Sequence, residues 1–155
     1  MWRKVRYLLL LLALCAMATC PAARRAWLRR ERAKEAPLLL DSLADRVQAV
    51  WKERGRFPQE PAGPTPPLGS CCDQGGACDV DAAQWQRPGW AVFGWSIDDP
   101  HRYSYQYEPV AGGKAVILRA IGDLDCDGKT GTYELRLEPA GDHLTRTATQ
   151  AQPLE

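Results

Sequence analysis

The chain has 155 residues and 17.2 kDa, 45% of them hydrophobic and 25% charged, which is the composition of an ordinary folded protein with room for one small domain and an N-terminal appendage. Its net charge of +1 conceals a segregation, because residues 1–34 hold nine Lys/Arg against one Glu while residues 35–155 hold eleven against eighteen acidic residues. An acidic head repels phosphate, which argues against nucleic acid as a partner, whereas a basic base beside an apolar run favours anionic lipid.

Residues 1–23 read as a membrane anchor or signal segment. Tyr7 to Ala23 carries no charge and follows Arg3, Lys4 and Arg6. The run sits at the short limit of a bilayer span, so a transmembrane helix is expected, with cleavage at the small-residue pattern Ala16-Met17-Ala18 as the alternative. The flanking Arg and Lys residues would leave the head in the cytoplasm by the positive-inside rule. Four cysteines in the head favour an oxidising compartment, so the head is placed outside the cytoplasmic membrane. Cys15 and Cys20, inside the apolar run, read as buried thiols.

Residues 24–56 read as a basic and then an amphipathic helix. Leu39, Leu43, Val47, Val50 and Trp51 recur at helical spacing, Pro37 is the expected point of interruption, and Gly55 with Phe57-Pro58 supplies the stop. Residues 57–69, with Pro58, Pro61, Pro64, Pro66 and Pro67, read as an extended polyproline connector. Residues 70–140 form the head. Trp90–Ile97, Tyr103–Glu108, Ala115–Ile121 and Thr132–Leu137 are predicted to be four strands of an antiparallel meander, the alternating Tyr103, Tyr105 and Tyr107 sharing the face that covers the helix. Residues 141–155 read as a polar tail. Trp85, Trp90 and Trp95 are assigned to core packing, with a sugar-stacking platform as the alternative.

The sharpest chemical signal is Asp123-Leu124-Asp125-Cys126-Asp127-Gly128 followed by Glu134, which fills the calcium-loop pattern D-x-D-x-D-G-x5-E. Asp123, Asp125 and Asp127 would direct carboxylates inward, Lys129 would lend its carbonyl, and Glu134 would close the shell of a structural calcium ion. Strand flanks on both sides make this a static clamp rather than an EF-hand sensor. Three close carboxylates without a cation would repel one another. Cys71, Cys72, Cys78 and Cys126 are expected to form disulfides, either vicinal cysteine reaching Cys78 or Cys126. Zinc is disfavoured, because no C-x2-C pair or nearby His accompanies them. With His101 and His143 as the only histidines, and no nucleophile in a recognisable setting, no catalytic residue is assigned and the chain is read as non-enzymatic.

The order of these features resembles type IV pilins and the pseudopilins of type II secretion with a Cys-rich, calcium-loop head. The residues that carry the resemblance are Thr65-Pro66-Pro67-Leu68-Gly69-Ser70-Cys71-Cys72, Asp98-Asp99-Pro100-His101-Arg102-Tyr103-Ser104-Tyr105 and Gly122-Asp123-Leu124-Asp125-Cys126-Asp127-Gly128. A prepilin cleavage motif is not recognisable. The resemblance implies an α+β fold, an N-terminal membrane and amphipathic helix packed on a small antiparallel sheet. It also implies a structural role beside other pilin-like or secretion-system subunits, and metal-loop positions at Asp123, Asp125 and Asp127. The alternative reading is a secreted, calcium-stabilised binding module with a cleaved signal peptide.

Overall fold

The computed structural model describes residues 4–7, 9–10 and 21–154. Two helices, α1 (Pro21–Ala33) and α2 (Glu35–Arg54), follow one another across a single turn residue, Lys34. The break lies one turn before Pro37. Proline has no N–H for the Ala33 carbonyl and its ring crowds that carbonyl, so the interruption falls upstream of the proline itself. Lys34 instead closes a tighter turn onto the Glu31 carbonyl at 3.3 Å. Helix α2 ends as expected at Gly55, which takes a left-handed φ of 69° and returns its N–H to the Trp51 carbonyl at 2.8 Å.

Helix α2 buries Ala36, Leu40, Leu43, Ala44, Val47 and Val50 against one face of a five-stranded antiparallel sheet. The strands are β1 (Ala62–Thr65), β2 (Tyr103–Val110), β3 (Ala115–Gly122), β4 (Gly131–Ala140) and β5 (His143–Ala151), laid side by side in chain order. Tyr103, Tyr105 and Tyr107 are all fully buried on the helix side, beside Val116, Leu118, Ala120, Leu135 and Leu137. Each large apolar side chain removed from water here contributes roughly 1.5–3 kcal/mol. Arg146 of β5 reaches back over the edge to Asp45 at 2.6 Å and Asp41 at 3.5 Å.

Several expectations are corrected. Residues 90–97 are not a strand: Trp90, Phe93, Trp95 and Ile97 are buried around a 3-10 turn, Ala91–Phe93. Trp85, Trp90 and Trp95 form an edge-packed aromatic cluster with Tyr105 inside the core, so no exposed stacking platform exists there. Their indole N–H groups need buried partners, which Thr65 Oγ1 supplies to Trp90 at 2.9 Å and Ser42 Oγ to Trp95 at 3.3 Å. The proline connector contributes a strand, β1, at the sheet edge, where the missing N–H of Pro64 costs no ladder bond. The polar tail is largely β5, paired along its whole length with β4.

The membrane-spanning part of the expected fold class is also corrected. The apolar run lies largely outside the described residues, as do Cys15 and Cys20. Among the described residues no helix is long and apolar enough to cross a membrane. Helix α1, most of which was read as the basic helix beyond that run, carries Arg24, Arg25, Arg29, Arg30, Arg32 and Glu31, side chains that hydrocarbon does not accept. The α+β part of the expectation holds. The membrane, reached through that N-terminal segment, is withdrawn as a partner, and nothing among the described residues identifies a pilin-like or secretion-system subunit as one.

Candidate metal site

The loop between β3 and β4 gathers the carboxylates of Asp123, Asp125 and Asp127, whose oxygens lie within 4.8 Å of one another. The local chain dictates the arrangement. Asp123 accepts the N–H of Asp127 at 3.2 Å on one oxygen and that of Gly128 at 2.8 Å on the other, folding the loop back over its own first residue. Gly128 turns the chain with a φ of 90°, while Leu124 is buried beneath as the anchor. Asp127 accepts both the N–H and the Nζ of Lys129 at 2.9 Å. That hydrogen bonding holds its carboxyl below the usual carboxylate range, although the group is exposed to solvent.

A staple fixes the loop from outside. The one-turn helix α3 (Ser70–Asp73) sets Cys71 and Cys72 about 100° apart, so the vicinal pair points two ways. Cys71 turns inward and bonds Cys78; Cys72 bonds Cys126 in the acidic loop, 54 residues away. This resolves the open pairing. It also removes the thiolates of Cys72 and Cys126 from metal chemistry, although both lie beside Asp123.

Two expected ligands take different places. Glu134 does not join the carboxylate group: strand register sets it opposite Arg119 on the outer face of the sheet, where it accepts from the Arg119 Nε at 2.9 Å. Arg119 also binds Glu108, giving a Glu–Arg–Glu row across three strands. The side chain of Lys129 serves Asp127, as described, while its backbone carbonyl is the part that the loop pattern would use.

Two residues that sequence reasoning missed complete the site. Arg29 of α1 donates to Asp125 at 3.0 Å, and Arg32 donates to the Leu124 carbonyl at 2.9 Å. Thus the repulsion among the carboxylates is met by cations of the chain itself. The opposed charges of residues 1–34 and 35–155 were the signal that could have found this contact.

A second polar centre lies at the start of α2. Glu35 accepts the N–H of Arg102 at 2.7 Å and the hydroxyl of Tyr105 at 3.3 Å, locking the start of α2 onto β2. Beside it His101 is buried against Trp85 and Tyr105, its Nδ1 3.3 Å from the Asp99 carbonyl and its Nε2 without a hydrogen-bond partner. Burial pushes the imidazole below its ordinary value. Asp98 is bound by the Ser96 hydroxyl at 3.0 Å rather than by His101.

The donor set at the acidic loop suits a hard cation: three carboxylates, backbone carbonyls nearby and no available thiolate. Compared with protein-family models, curated proteins and solved structures, the chain matches none. The resemblance to pilin-like heads therefore stands on the quoted residues alone.

Proposed function

We propose that the chain is a non-enzymatic, pilin-like structural module of an extracytoplasmic compartment, and that its β3–β4 loop holds a structural calcium ion. The observation that carries this reading is the convergence of Asp123, Asp125 and Asp127 in a loop tied by the Cys72–Cys126 disulfide to the segment between β1 and β2. An ion there would take the place of Arg29 at Asp125, draw the three carboxylates together between the end of β3 and the beginning of β4, and fix the geometry of the head. A long helix on an antiparallel meander is the architecture that the resemblance implies, which supports the structural part. The two disulfides support an oxidising location.

The proposed calcium acts by mass action, binding the folded chain in preference to the unfolded one. Thermal unfolding of the full-length chain in EDTA and in calcium tests it. The midpoint should rise with calcium, and Asp125→Ala should abolish the rise. A midpoint indifferent to EDTA and calcium would remove the metal from this account.

A further inference from the structure

Helices α1 and α2 carry an exposed stripe outside their buried face, with Asp41 bordering β5. Arg24, Trp27, Glu31, Lys34, Leu38 and Asp41 follow one another at alternating spacings of three and four, the seam of a two-helix coil, and every one is exposed. Lys34 has helical dihedrals, φ −67° and ψ −21°, so the stripe continues in the same direction across the turn at the junction. Trp27 is 59% and Leu38 70% exposed, unusual for large apolar side chains on a folded surface.

The order of residues along the stripe is self-complementary. A two-fold axis passing between Glu31 and Lys34 pairs Trp27 with Leu38, Arg24 with Asp41, and Glu31 with Lys34. All charged pairs are then of opposite sign, and the two exposed apolar residues cover each other. Parallel pairing in register would instead set Arg24 on Arg24 and Asp41 on Asp41. Asp41 has capacity for the contact, because Arg146 sits closer to Asp45, and the Asp41 side chain remains 64% exposed. Glu31 and Lys34 now bind each other within one helix at 2.8 Å, and would exchange that bond for the same bond between copies.

From this we propose that the stripe is an interaction surface for a second copy of this chain, pairing the two α1–α2 segments antiparallel in a closed two-fold dimer. The area is that of one helix pair, at the small end for stable association, so the dimer should dissociate on dilution.

Sedimentation equilibrium of the full-length chain and of two charge variants tests the proposal. Glu31→Lys and Lys34→Glu should each weaken self-association at least about tenfold, since like charges then face each other. Mixing the two variants should restore it as a heterodimer, because each then offers what the other lacks; native mass spectrometry with one variant isotopically labelled reports that species. A change confined to one helix cannot produce this rescue. Leu38→Glu, at an exposed position that should leave the fold intact, should weaken association as well. A chain that is monomeric at every concentration, association indifferent to these substitutions, or a mixture that associates no better than either variant would each overturn the proposal.

Discussion

Arg29 occupies the position that a metal ion would compete for. Its guanidinium neutralises Asp125 across 96 residues of sequence, as a partly exposed ion pair worth about 0–1 kcal/mol. Arg29→Ala should therefore lower the stability of the metal-free chain only slightly, while raising calcium affinity, as measured by calcium titration of both chains. Asp123, Asp125 and Asp127 were legible in the sequence because a local pattern places them. Glu134 was misread because strand register, a tertiary property, decides its partner, and Arg119 stands opposite it. Arg29 and Arg32 could not be placed from local pattern, although their charge was visible. At His101 the consequence is a pH dependence. The folded imidazole titrates below its ordinary 6.5, so the unfolded chain takes up a proton first as the pH falls. Charged groups near the ring on the packed elements are Glu35 of α2 and Arg102 and Asp99 of its own segment, with Tyr105 of β2 neutral. Stability should be complete above about pH 7 and decline as pH falls from about 6.5 toward the folded value. Urea unfolding at stepped pH checks this, and His101→Gln should flatten the slope.

At the scale of elements, the disulfides divide the labour unequally. In the chain-entropy model, Cys72–Cys126, which spans 54 residues, contributes about 4 kcal/mol, and Cys71–Cys78, which spans 7, about 2 kcal/mol. Guanidinium unfolding of Cys72→Ser/Cys126→Ser should accordingly show a larger loss than Cys71→Ser/Cys78→Ser, and only the former should also weaken calcium binding. The vicinal pair left two connectivities open in the sequence; the one-turn helix Ser70–Asp73 decides between them by aiming the two side chains apart. Strands β2 and β4 were readable because apolar and polar residues alternate along much of their length with one face buried, and β3 because it is a short apolar run between turn residues. Strand β5 was not, since only Leu144 is buried in a segment whose other residues meet solvent; the alternating Thr145, Thr147 and Thr149 were the available β signal. Strand β1 was hidden by prolines that only an edge strand tolerates. At 90–97 the aromatic content imitates a strand, but a buried face spaced three and two apart belongs to an irregular segment packed by its rings.

At the scale of the whole molecule, charge organises the assembly. The arginines of α1 reach down to the acidic loop on one side and, in the proposed dimer, across to a second copy on the other. The loop, the Cys72 staple and α1 therefore meet at one end of the molecule, and an ion bound there would be felt by helix and sheet together. That coupling fits a part whose job is to keep its shape. Isothermal titration of calcium into the full-length chain tests the central claim most directly. One site per chain is predicted, lost in Asp125→Ala and retained in Glu134→Gln, because Glu134 is bound by Arg119 on the sheet. Absence of binding, or equal loss from Asp125→Ala and Glu134→Gln, would contradict the account.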